Sequence, residues 1–112
     1  MPPDALPGLI GAATGWDFKA EEMMRTGKRI MNMRHAFNLR EGLKHHDSRL
    51  PGRCVGEPPL KEGPLKGVTV DHRKLAERFC ENIGWDKETL IPVRPSLEEL
   101  GGMEDVIRDL YR

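Results

Sequence analysis

The 112-residue sequence has few of the residues that build a large core or a cross-linked scaffold. Aromatic residues make up 5% of the chain and hydrophobic residues 38%, so the chain can bury one small core at most. Six methionines supplement that core, because methionine packs adaptably into irregular space. Length and composition together predict a single domain.

Long hydrophobic runs and excess charge of one sign are also lacking. No apolar run approaches the ~20 residues that a membrane-spanning helix needs, and the N-terminus lacks the basic and apolar regions of a secretory signal. Eighteen basic side chains balance 18 acidic ones, so the net charge does not favour a nucleic acid or a membrane surface. We expect a cytoplasmic protein with neither of these partners.

The two cysteines, Cys54 and Cys80, form no Cys-x-x-Cys pair, which excludes a zinc ribbon or a self-contained iron–sulfur cluster of ordinary spacing. We expect both to be reduced thiols. The histidine-rich positions His45, His46 and Asp47, with His35 and His72 elsewhere, leave a metal site open as the less favoured alternative to solvated loop residues. A metal site needs three or four convergent ligands, and adjacent loop residues point apart.

Motifs for catalysis are missing too. The sequence contains no Walker-type loop, no nucleophile elbow, no His-Glu-x-x-His and no adjacent carboxylate pair in apolar surroundings. We therefore assign no catalytic, cofactor-binding or metal-ligating residue, and we expect the isolated chain not to be catalytic.

The strongest helical pattern runs from about residue 19 to residue 39. Its three- and four-residue spacing defines one predicted buried face: Ala20, Met23, Met24, Gly27, Ile30, Met31, Arg34, Phe37 and Asn38. Gly27 on that face predicts a close helix crossing, and the helix should end near Gly42. Phe37 is expected to enter the core, with Asn38 or Arg40 holding the carbonyls at the helix end. The alternative for Arg40 is a surface cation favoured by the helix dipole.

Shorter helices are predicted on both sides of this one. The first spans about residues 4–15, ends at Gly15 and is followed by the expected anchors Trp16 and Phe18. A later helix begins at the N-cap Asp71 and ends at Gly84. The remaining two are a short helix and an amphipathic segment. The short helix starts at Pro95 and Ser96, where Ser96 and Glu99 fit a capping box, and ends at Gly101–Gly102; the amphipathic segment runs from Met103 to Tyr111.

Proline and glycine interrupt every periodic pattern between Leu43 and Gly67, which predicts a long strap without secondary structure. Such a strap commonly lies on a larger partner surface. The predicted fold class is all-α: a small irregular domain of four or five helices with a long Pro/Gly-rich strap.

Charge is distributed unevenly along the chain. The segment between Arg25 and Arg49 contains seven basic residues and two acidic ones, while the charged residues from Pro95 onward are mainly acidic. The basic helix could bind phosphate or a nucleic acid, or the helix and the acidic tail could neutralise each other or a neighbouring subunit. Because aromatic residues are not interleaved for base stacking, the second interpretation is favoured.

Several sequence blocks, in order and spacing, resemble the C-terminal part of the tungsten-containing aldehyde ferredoxin oxidoreductases. The blocks are Thr14-Gly15-Trp16-Asp17-Phe18, Gly27-Lys28-Arg29-Ile30, Phe37-Asn38-Leu39-Arg40-Glu41-Gly42, Asp47-Ser48-Arg49-Leu50-Pro51-Gly52-Arg53, Gly63-Pro64-Leu65-Lys66-Gly67, Gly84-Trp85-Asp86, Ile91-Pro92 and Leu97-Glu98-Glu99-Leu100-Gly101. The likeness covers about residues 5–101. One departure is Lys19, which replaces the usual N-cap of the main helix.

The resemblance implies a parent enzyme that holds tungsten, or sometimes molybdenum, between two pterin dithiolenes beside a [4Fe–4S] cluster. Such enzymes oxidise an aldehyde to the carboxylic acid and pass the electrons to ferredoxin, and related members reduce aromatic thioesters. Neither Cys54 nor Cys80 lies at a cluster motif position, so no cofactor ligand is carried over to this chain.

We therefore expect residues 1–112 to be a single C-terminal helical domain, a fragment that packs against the remainder of such an enzyme and has a structural role. The alternative is a stand-alone helical interaction module, or a split subunit that docks on a cofactor-bearing partner.

Overall fold

The computed structural model describes residues 2, 5–44 and 50–112, and within these ranges the chain is all-α with no strand. The helices described are α1 (Ala5–Thr14), α2 (Ala20–Arg40), α3 (Gly52–Val55), α4 (His72–Ile83), α5 (Arg94–Leu100) and α6 (Glu104–Leu110). The fold class is confirmed, with one helix more than expected. The histidine-rich positions His45, His46 and Asp47 lie outside the described residues.

Most helix ends follow from local sequence. Gly15, Gly42 and Gly84 have φ values of 76°, 90° and 80°, which glycine adopts without steric cost. Asp71 caps α4 as predicted, because its carboxylate accepts a hydrogen bond from the backbone N–H of Lys74. Lys19 precedes α2 without a side-chain cap, as its departure from the family pattern implied.

Helix α5 begins one residue before the predicted start at Pro95 and Ser96. It starts at Arg94 with Pro95 in its first turn, so the proposed capping box of Ser96 and Glu99 is wrong. Proline suits the first turn because its missing N–H would have no helical partner there. Ser96 instead packs on Gly84, where an added Cβ would lie 2.3 Å from its Oγ.

The strap contains more structure than expected. Helix α3 lies within it, and the backbone N–H of Val70 donates to the carbonyl of Val55, which is buried. The carbonyl of Val68 comes so close to Gly56 that a Cβ there would lie 2.3 Å from its oxygen. The described part of the strap is therefore folded around Val55 and is not structureless.

The core is small and lies where α2 packs against α5 and α6. Its fully buried members include Leu97, Met103 and Pro92, joined by Ala36 from α2. Cys80 and Ile83 of α4 are also buried. One polar residue, Asn32, is buried among these groups.

The chain is much more extended than an independent domain of its length. Its radius of gyration is 18.2 Å, against about 13 Å for a compact domain of 112 residues. Its accessible surface is 9001 Å², about 2,800 Å² more than a compact protein of 12.7 kDa exposes. The six helices therefore leave a large surface uncovered.

Candidate functional site

Helix α2 contacts the rest of the chain through polar side chains. We define its inner face by Arg29, Asn32, His35 and Ala36, which lie on one side of the helix because they are three or four residues apart. Asn32 is 1% exposed, and its Nδ2 donates to the carbonyl of Lys28 at 2.9 Å. Its Oδ1 accepts a 2.8 Å hydrogen bond from Nε1 of Trp85.

His35 holds the same indole from a second direction. The rings of His35 and Trp85 stack with centroids 3.8 Å apart and an angle of 13° between their planes. The Nε2 of His35 lies 2.8 Å from the carbonyl oxygen of Leu90, and Phe79 packs edge-on against the indole at 5.5 Å. Trp85 is therefore fixed by contacts from both α2 and α4.

The turn after Trp85 is held by Asp86. Its Oδ1 accepts hydrogen bonds of 2.7 Å from the backbone N–H and from the hydroxyl of Thr89. These bonds favour the carboxylate, and they hold the pKa of Asp86 below its ordinary value. Leu90, which closes the turn, has a φ of 59°, a conformation uncommon for a branched side chain.

Arg29 joins the inner face to the end of α5. Its Nε donates to the carbonyls of Leu100 and Gly101 at 3.1 and 3.0 Å, and one terminal nitrogen donates to Leu100 at 2.8 Å. The other terminal nitrogen pairs with Glu22 at 2.9 Å. A cation at the last carbonyls of a helix is favoured by the helix dipole, so Arg29 stabilises the contact between α2 and α5.

The opposite side of α2 is apolar and open. We define this outer face by Met24, Gly27, Ile30, Met31, Arg34 and Phe37. Its large side chains are exposed: 62% for Met24, 52% for Ile30 and 55% for Phe37. The prediction that Phe37 enters the core is wrong, and so is the helix crossing at Gly27 within this chain, where an added Cβ would meet no atom within 4 Å.

The reason for both errors is physical. Periodicity identifies which side of a helix is apolar, but it does not show whether the covering surface belongs to the same chain. The prediction that Trp16 is an anchor is wrong for the same reason. Its side chain is 67% exposed, and Leu6 and Leu9 of α1 are exposed as well.

The carbonyls at the end of α2 do not need a side-chain partner. Backbone N–H groups of Glu41, Gly42 and Leu43 donate to them. Arg40 instead forms ion pairs with Glu41 at 3.2 Å and Asp109 at 3.7 Å. Of the two interpretations of Arg40, the structure supports a surface cation at the end of α2, and its pair with Asp109 joins the basic helix to the acidic tail.

The described residues do not fit a metal or an iron–sulfur cluster. They include no group of three or more potential ligands, and the two free cysteines are an exposed Cys54 and a buried Cys80. Burial raises the pKa of the Cys80 thiol, which disfavours the thiolate that binds metals. No helix in the described ranges has the length and apolar character to span a membrane.

A family model described as "Aldehyde ferredoxin oxidoreductase, domains 2 & 3" matches residues 1–101. The chain belongs to the aldehyde ferredoxin oxidoreductase family. It is 43% identical over 94 residues to the tungsten-containing aldehyde ferredoxin oxidoreductase of Pyrococcus furiosus and 40% identical over 94 residues to that of Thermococcus kodakarensis. Each match covers 83% of this chain and 15% of the relative, so the chain spans about a seventh of these family members.

A human protein named RNA exonuclease 5 is 31% identical over 84 residues, which cover 74% of this chain and 10% of that protein. No solved structure shows a significant match. The assignment of the chain to the aldehyde ferredoxin oxidoreductase family thus rests on the family model and on the archaeal relatives.

Proposed function

We propose that this chain is the helical C-terminal part of an aldehyde ferredoxin oxidoreductase and that its role is structural. It packs on the part of the enzyme that carries the cofactors and supplies no ligand to them. By family resemblance, that part holds tungsten or molybdenum on two pterins beside a [4Fe–4S] cluster. The enzyme would oxidise an aldehyde with water to the carboxylic acid and pass electrons to ferredoxin, in the cytoplasm.

The observation that carries this proposal is the orientation of α2. A helix of an independent domain turns its apolar face inward, because burial of apolar surface stabilises folding by about 25 cal/mol per Å². Here three of the four inner-face residues are polar, and the outer face is exposed and, except for Arg34, apolar. The excess surface of about 2,800 Å² exceeds the 1,000–2,500 Å² that one partner contributes to a large obligate interface.

The proposal is tested by tagging the gene after Arg112 in its native host and measuring the mass and metal content of the purified product. We expect one polypeptide several times heavier than 12.7 kDa that contains tungsten or molybdenum. A tagged 12.7-kDa chain that co-purifies with a separate metal-containing subunit would contradict a continuous polypeptide and would establish the split-subunit alternative. A tagged 12.7-kDa chain purified alone would contradict both.

Nucleic-acid binding by the basic helix is not favoured by the geometry. Two of its arginines are occupied, because Arg29 holds the end of α5 and Arg40 pairs with acidic side chains. The outer face of α2 is apolar except for Arg34. A salt-dependent mobility shift with RNA or DNA would be required to support that function.

A further inference from the structure

We propose that the outer face of α2 docks on an apolar surface of the cofactor-bearing part of the enzyme and that this surface places a carboxylate opposite Arg34. The inference rests on the proposed function and specifies the interface through which it operates. It assigns roles to Gly27 and Arg34, which have no role in the contacts among the residues that the structure describes.

The shape of the outer face suits a close helix–helix contact. Gly27 lies between Met24 and Ile30 or Met31 on the exposed surface, and the space above its Cα is open. Glycine in a helix interior costs about 1 kcal/mol relative to alanine. No contact within the described chain offsets that cost, whereas the close approach of an external backbone would.

Arg34 gives the face its chemical specificity. It lies on the exposed side of α2 in the middle of the apolar residues, and it forms no ion pair with any residue that the structure describes. Covering this face would remove the guanidinium from water, and a buried charge needs a partner of opposite charge. A carboxylate is that partner, because it accepts two parallel hydrogen bonds from a guanidinium.

The surface that covers the outer face belongs to the remainder of the enzyme rather than to a second copy of this chain. The six residues of the outer face include the cation Arg34 and no acidic side chain. Two copies facing each other through this surface would therefore bury two arginines with no carboxylate of the outer face to pair with them. The chain also spans only 15% of its archaeal relatives, which leaves a large polypeptide to supply the opposite surface.

The test is thiol labelling of the complete polypeptide under native, anaerobic conditions. Met31→Cys places a thiol on the outer face, and Glu21→Cys is the matched control, because the Glu21 side chain on the same helix is 86% exposed. Iodoacetamide labelling is followed by mass spectrometry of the peptide that carries each position. We expect Met31→Cys to react at least about tenfold more slowly than Glu21→Cys. Met24→Cys is a second outer-face position, should Met31→Cys disturb folding.

Charge reversal tests the carboxylate. In the Met31→Cys background, Arg34→Glu should raise the labelling rate toward that of the control, while Lys28→Glu, an equal charge change elsewhere on α2, should leave it unchanged. If Arg34→Glu left the labelling rate unchanged, the proposal of a carboxylate opposite Arg34 would be overturned. Protection that is lost on dilution would overturn the proposal in favour of a second copy.

Labelling of Met31→Cys as fast as the control would overturn the docking of the outer face. Failure of the docking proposal can be distinguished from failure of the proposed function, because the mass and metal content of the tagged product are measured independently of labelling.

Discussion

The indole Nε1 of Trp85 donates a 2.8 Å hydrogen bond to Oδ1 of Asn32, across 53 positions of sequence. Asn32 is also the one buried polar residue among those that the structure describes. The bond connects the middle of α2 to the segment after α4, and it joins a fully buried amide to a half-buried indole. It gives the packing of α2 a defined register, because a shift along the helix would leave the indole N–H without a partner.

Asn32→Ala should destabilise the fold by about 1–3 kcal/mol, because it leaves the N–H of the half-buried Trp85 without its acceptor. Lys28→Ala, at an exposed position of the same helix away from the outer face, should change stability by less than about 0.5 kcal/mol. Calorimetry of the complete polypeptide measures both midpoints. Equal effects of the two substitutions would contradict a structural role for the Asn32–Trp85 bond.

Arg29→Met should weaken the contact between α2 and α5, because the carbonyls of Leu100 and Gly101 lose their charged donor. Hydrogen bonds to charged groups contribute about 1.5–3 kcal/mol, so a loss of that order is expected. Arg25→Met is the control, since Arg25 forms only exposed ion pairs with Glu21 and Glu22. The midpoint of thermal unfolding should fall for Arg29→Met and stay nearly constant for Arg25→Met.

Gly27→Leu should have opposite effects in two contexts. In the isolated chain it should raise helix content, because the site is open and leucine favours helix by nearly 1 kcal/mol. In the complete polypeptide it should lower the unfolding free energy by about 1–3 kcal/mol through overpacking. Gly8→Ala, at an exposed helical glycine of α1, should be stabilising in both. A raised midpoint for Gly27→Leu in the complete polypeptide would contradict a close contact there.

The Asp86 turn should make stability depend on pH in the acid range. Because hydrogen bonds from Thr89 lower the pKa of Asp86 in the folded state, its stabilising effect is complete above the ordinary value of 3.8. It is lost as the pH falls through the lower pKa of the folded state. Asp86→Asn should therefore flatten the pH dependence of the unfolding midpoint below pH 3.8. Thr89→Val removes only the hydroxyl donor, so it should weaken that pH dependence without abolishing it. An unchanged profile in both variants would be inconsistent with the turn geometry.

The termini of the helices could be predicted because they depend on neighbouring residues. Gly15, Gly42, Gly84 and Asp71 act within one turn of the helix that they end or begin. The start of α5 was predicted to within one residue, but its capping box was wrong, because Pro95 rather than Ser96 sets the first turn.

The face of α2 that packs within the chain could not be predicted from hydrophobicity. Arg29, Asn32 and His35 recur at three-residue steps, and such a polar stripe ordinarily faces water. A signal was nevertheless present, since the indole N–H of a tryptophan that packs in a fold usually finds an acceptor. Asn32 and Trp85 are 53 positions apart in the sequence, and Arg29 and Leu100 are 71 positions apart. No local sequence pattern contains contacts over such separations.

The central claim, that α2 is completed by surface outside this chain, is tested most directly by hydrogen exchange of its backbone amides. Exchange is measured for Ala20–Arg40 in the isolated 112-residue chain and in the complete polypeptide at the same pH and temperature. We predict that these amides exchange at least about 100-fold faster in the isolated chain, because the uncovered apolar face no longer stabilises the helix. Equal protection in the two contexts would contradict the claim and would show that the six helices form a self-sufficient domain.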